Sequence, residues 1–89
     1  MIDIGSAIPA TLARLKKLPV GNSLELLTYK RDRGLRIGRT GDNAFRVREF
    51  GFRTEVFEVD LESMKKLLKT LLKREFPRSN KVRVQESGS

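Results

Sequence analysis

The stretch Leu24–Val59, LELLTYKRDRGLRIGRTGDNAFRVREFGFRTEVFEV, decides the fold. Short apolar-alternating runs are separated by Asp32-Arg33-Gly34, Thr40-Gly41-Asp42-Asn43 and Phe50-Gly51, turn chemistry that marks consecutive antiparallel strands. Side chains of a strand alternate with period two, so one face can be apolar while the other stays wet. Leu35 and Ile37 share one side, Arg36 and Gly38 the other. Phe45 and Val47 oppose Arg46, Arg48 and Phe50; Phe57 and Val59 oppose Val56 and Glu58. The wet side of the middle strands is therefore rich in arginine. The first run is out of clean phase, with Leu24 and Leu26 on one side and Leu27 and Tyr29 on the other. Either both of its faces are covered or a bulge shifts the register.

Working outward, Met1–Gly5 alternates at Ile2 and Ile4 as a short arm. Ser6 is a fitting N-cap for a helix over Ala7–Leu18, whose Ile8, Leu12 and Leu15 form a narrow apolar stripe. Pro19 and Gly21-Asn22 end it. Downstream, Asp60 caps the strongest helical signal, Leu61–Phe76. Its stripe of Leu61, Met64, Leu68, Leu71 and Leu72, widened by Leu67, leaves Lys65, Lys66, Lys69 and Lys73 largely on the other side. Pro77 stops the helix, and Lys81–Gln85 reads as a last strand with Val82 and Val84 on one face. The expected fold is α+β: an antiparallel four-stranded meander, with Lys81–Gln85 available as a fifth, edge strand. An N-terminal and a C-terminal helix pack on one face of it. Residues 1–85 make the single domain and 86–89 a polar, frayed tail.

The chain has 89 residues, room for one sheet and a few helices. Its 19 Lys+Arg against 11 Asp+Glu give a net charge of +8, which points to polyanions, nucleic acid first. The plain alternative is the charge-rich surface common in thermophilic proteins. There is no Cys and no His. That removes thiol and imidazole catalysis, disulfides and nearly all zinc sites, and the acids lack the clustering of a calcium loop. No metal, cofactor or enzymatic activity is expected. No apolar run approaches about 18 residues and no export signal is visible, so a cytoplasmic protein without membrane insertion is expected.

The arginine-studded stretch is the leading candidate site. Lys30, Arg31, Arg33, Arg36, Arg39, Arg46, Arg48 and Arg53 offer cations for phosphates, with Tyr29, Phe50 and Phe52 among them as stacking surfaces. A cationic track beside flat apolar rings suits single-stranded DNA or RNA. For Tyr29, Phe50 and Phe52 a core role stands level with an exposed one; Phe45 and Phe57 read as core. A helix returning into an edge strand would carry Arg78 and Lys81 to the rim of the sheet. Gly38-Arg39-Thr40-Gly41 reads as a hairpin turn, since it lacks the ending and the following helix of a phosphate loop. Leu61/Leu68 and Met64/Leu71 repeat at seven, so the stripe is either core or the seam of a homodimer or higher homo-oligomer. The rival function follows from that seam: an assembly module dimerising through the Leu61–Leu72 helix, its basic charge incidental.

The order helix, meander, helix, together with TYKRDRG, FRVREFGF and KREFPRSNKVRV, resembles the small archaeal ThermoDBP-related family of single-stranded nucleic-acid-binding proteins. The resemblance covers about Leu24 to Val84. It implies a small α+β domain that binds single strands on a basic, partly aromatic surface and self-associates. Double-stranded-RNA-binding domains share a helix–strands–helix order, but their basic GxGxSKK-type helix start is replaced here by the acidic Asp60-Leu61-Glu62-Ser63.

Overall fold

A computed structural model of the chain describes residues 2–28, 33–51, 54–76 and 80–88. In chain order these form β1 (Ile2–Asp3), a 3-10 turn (Ile4–Ser6), α1 (Ala7–Lys17), β2 (Ser23–Leu27), β3 (Gly34–Gly41), β4 (Ala44–Phe50), β5 (Glu55–Val59), α2 (Leu61–Glu75) and β6 (Lys81–Ser87). The strands build a six-stranded antiparallel sheet in the order β1-β6-β2-β3-β4-β5. Both helices pack on one face of it, and among the described residues no element covers the other, open face. The architecture is α+β in two layers.

Strands β2 to β5 form the expected meander, and the final strand departs from expectation. β6 is not an outer fifth strand; it lies between β1 and β2. It also runs to Ser87, pairing Glu86 with Leu24 and Ser87 with Ser23, so two residues expected in the tail belong to the sheet. The register of β2 with β3 is regular from Ser23↔Gly38 to Leu27↔Gly34. Leu27 therefore faces the open side without a bulge in its strand.

On the covered face Leu24, Leu26, Leu35, Ile37, Phe45, Val47 and Val82 meet Leu15 of α1 and Met64, Leu68 and Leu71 of α2. Met64, Leu68 and Leu71 have no exposure at all, and Leu61 is half-buried against the same cluster. This corrects the expected oligomer seam: a sheet and a neighbouring helix already cover the stripe, and a second copy could not reach it.

Polar contacts fix where the helices sit. α1 is entered from the 3-10 turn, and the Ser6 side chain makes no capping hydrogen bond. α2 begins at Asp60, whose Oδ1 accepts the Ser63 N–H at 2.8 Å, while Asn43 Oδ1 in the β3–β4 turn accepts the Leu61 N–H at 3.0 Å. Near its other end Arg74 donates from Nε and Nη2 to the two carboxylate oxygens of Glu49, at 2.7 and 2.5 Å. Glu49 lies on the covered face of β4 and is wholly buried. The carboxylate in turn holds the Arg74 guanidinium above its ordinary pKa. Gly51 closes β4 with φ of 117°, where a Cβ would also lie 2.6 Å from Arg33 Cγ and 2.8 Å from Glu75 Oε1. A side chain does not fit there.

Two stability experiments follow. Stripping a fully buried carboxylate of its partner costs about 3–5 kcal/mol, and Glu49 is such a carboxylate. Arg74→Met is expected to lower the urea-unfolding midpoint sharply, and adding Glu49→Leu to regain most of the loss. The second concerns acid. The Ser63 N–H holds the Asp60 carboxyl below its ordinary value of 3.8. A lowered folded-state pKa gives stability that is fully present above about pH 4 and is lost as pH falls through the lowered value. Asp60→Asn keeps the acceptor and should flatten that part of the acid limb in thermal melts.

Candidate nucleic-acid interface

The strand register arranges the open face in cross-strand rows. One row reads Arg83, Leu27, Gly34, Phe50; the next Gln85, Glu25, Arg36, Arg48, Val56; the third Ser87, Ser23, Gly38, Arg46, Glu58. Arg36 and Arg48 are thus direct cross-strand partners, and both are exposed. Among the described residues neither makes an ion pair. Arg46 reaches Glu58 at 3.3 Å, but the two side chains are 58% and 72% exposed, where such a pair holds weakly. Glu25, half-buried beside Arg36, and Glu58 are the acids of these rows.

Gly38 lacks a side chain between these arginines and opens a cleft of about 330 Å³, walled by Arg36, Arg46 and Arg48 and by Asn22 and Ser23 before and at the start of β2. That lies at the small end of ligand-pocket sizes, about 300–1,000 Å³. Like charges directly opposite on neighbouring strands are destabilising. A phosphate between guanidinium groups would turn that repulsion into charge-assisted hydrogen bonds.

The adjoining row is apolar. Leu27 Cδ2 and Phe50 Cζ lie over Gly34, at 2.9 and 3.1 Å from where a Cβ would stand, and the Leu26 carbonyl oxygen would be only 2.3 Å from it. Glycine at 34 is what lets β2 and the Phe50 ring close in. Leu27 is buried, Phe50 is half-buried, and Val56 in the next row is 57% exposed. Phe50 is the aromatic of the open face among the described residues.

Of the candidates read from the sequence, Arg36, Arg46, Arg48 and Phe50 come together on this face. Arg39 does not. It lies on the covered side, where Nε, Nη1 and Nη2 donate to the carbonyls of Gly41 (3.1 Å), Leu18 (2.8 Å) and Asp42, and the guanidinium stands 5.6 Å from the Phe45 ring centre. Arg39 is a clamp between the end of α1 and the β3–β4 hairpin. Lys81 is exposed at the start of β6 and ion-paired with Asp3; its hydrogen bond lowers the Asp3 pKa. Arg33 is half-buried against Gly51. Tyr29, Lys30, Arg31, Phe52, Arg53 and Arg78 lie outside the described residues. Sequence reasoning placed Arg83 only at a rim running from Arg78 and missed Gln85; both alternate with Val82 and Val84 and reach the open face because β6 lies beside β2.

No family model matches the chain, and neither a curated protein nor a solved structure matches it. Among the described residues no helix is long and apolar enough to cross a membrane.

If Arg36 and Arg48 repel, neutralising one should stabilise the fold. Arg48→Thr removes the repulsion without taking a partner from an acid. It is expected to gain roughly 0.2–1 kcal/mol at low salt, with the gain shrinking as salt is added. Thermal melts at two ionic strengths read this directly.

Proposed function

We propose that the protein is a non-enzymatic binder of single-stranded DNA or RNA that uses the open sheet face, mainly through phosphates and with little base reading. The observation that carries this is the opposition of Arg36 and Arg48, without ion-pair partners among the described residues, over the cleft at Gly38. Repulsion built into an uncovered face is relieved by a polyanion. Phe50 beside the arginines supplies a ring for an unstacked base, which favours a single strand over a duplex whose base faces are hidden. The resemblance to the ThermoDBP-related family implies the same activity. The rival, assembly through the Leu61–Leu72 helix, loses its surface because Met64, Leu68 and Leu71 are core.

Fluorescence anisotropy across a salt series tests the proposal. Single strands should bind tighter than duplex of equal charge; equal or tighter duplex binding would overturn the strand preference. Arg36→Gln should lower the magnitude of the salt slope by about 0.7 for each phosphate that the variant no longer neutralises. Phe50→Ala should weaken binding by about 1–3 kcal/mol with the slope nearly unchanged, thermal melts confirming that the variant is folded. Gly38→Ala probes the cleft itself. Its Cβ would meet only Ser23 Oγ, at 3.4 Å, so the strand tolerates it while the cleft floor rises. Weaker binding with an unreduced melting temperature is expected; unchanged binding would remove the cleft from the site.

A further inference from the structure

Among the described residues, the open sheet face is not the more cationic side of this domain. α1 exposes Arg14, Lys16 and Lys17, and α2 exposes Lys65, Lys66, Lys69 and Lys73. Glu62 is the acid exposed on these helices. A solvated helix face ordinarily mixes signs, with acids three or four residues from bases. Here Lys65/Lys69 and Lys69/Lys73 are like-charge pairs at i, i+4, which weaken a helix. The helix dipole favours the cations that close α1 and Lys73 near the end of α2. Glu62 stands three and four residues before Lys65 and Lys66 and offsets them in part; neither it nor the dipole accounts for Lys69. Lys66, Lys69 and Lys73 follow one another on the side opposite Met64, Leu68 and Leu71, so they point away from the sheet.

We propose that this helix face is a second nucleic-acid site, and that one chain holds two strand segments at once, one on each side. The inference rests on the strand-binding reading of the sheet face. The domain measures 33 × 24 × 23 Å, so segments on opposite faces lie well beyond the screening length of about 8–10 Å at physiological salt. Their mutual repulsion is therefore small. The charge complements a polyanion, and an anionic membrane fits less well. An interfacial helix needs an apolar face to insert, and that of α2 is in the core, leaving Ser63 and Thr70 among the exposed lysines.

The test is the number of thymidine oligonucleotides of about 8 nucleotides bound per chain at saturation, read by native mass spectrometry. Energy transfer between donor- and acceptor-labelled copies reports co-occupancy. Two per chain with transfer is expected. The surface variant Lys66→Gln/Lys69→Gln/Lys73→Gln should drop to one per chain, lose the transfer and keep the sheet-face site. Arg36→Gln/Arg48→Gln should also drop to one while keeping the helix-face site. One oligonucleotide per wild-type chain, in a monomer or a dimer, overturns bridging and leaves the strand-binding reading intact. No binding overturns both. Phosphatidylserine vesicles that bind the wild type, fail to bind the helix variant and resist displacement by oligonucleotide would assign the face to lipid and overturn the proposal.

Discussion

The ion pair between Glu49 and Arg74 is the constraint on which the rest of the domain depends. Glu49 lies in phase with Phe45 and Val47 on the covered face of β4, fully out of water. A guanidinium that meets both oxygens of the carboxylate offsets the cost of burying it there. Arg74 is close to the end of α2, so the pair draws that end onto β4, while Asp60 and Asn43 hold the other end. Side chains of a strand alternate strictly. The register that places Glu49 inward therefore places Arg46, Arg48 and Phe50 outward, and a slip of one residue would bury two arginines while exposing Phe45 and Val47. The geometry of the open face follows from a contact on the opposite side of the sheet.

The cations divide by what surrounds them. Arg39 and Arg74 meet backbone carbonyls or a buried carboxylate, and each locks a helix to the sheet. Lys81 pairs with Asp3 of the short β1, a contact as exposed and as weak as that of Arg46 with Glu58. Among the described residues, Arg36 stands between Glu25 and Arg48, Arg48 faces Arg36, and the α2 lysines have Glu62 beside the first two and otherwise one another. Packing explains the first group and not the second. Residue type alone does not separate the two groups; position relative to carbonyl and carboxylate oxygens does.

Much of the fold was legible in the sequence because its signals are local. Period-two alternation assigned the facing of β3, β4 and β5, and the Asp60 cap with the stripe behind it bounded α2 to within a residue. The site was legible where it used the same signal, at Arg36, Arg46, Arg48 and Phe50. Arg39 shares the phase of Leu35 and Ile37, yet its partner Leu18 lies 21 residues away and no local pattern announces it. Leu27 gave an ambiguous phase because its cover on the open face is made by Gly34 and Phe50, across two further strands. The place of β6 depends on how α2 returns the chain across the sheet. Adjacent elements usually neighbour one another in space, and here β6 passes the whole meander to pair with β2.

The leucine stripe shows how domain size decides between a core, the default for two heptads, and an oligomer seam. A domain of 89 residues buries a smaller fraction of its surface than a large one and has little stability to spare. Its only large apolar helix face must therefore go to its own sheet. Of the two edge strands, β1 is two residues long and β5 is five residues long and carries Glu55 and Glu58, the short and charged form in which exposed edges avoid pairing with other chains. A chain so placed has every reason to shed like-charge repulsion. It nevertheless keeps Arg36 against Arg48 on one side and lysines at i, i+4 on the other. Under the proposed reading, those unrelieved repulsions are the part of the stability that bound nucleic acid restores.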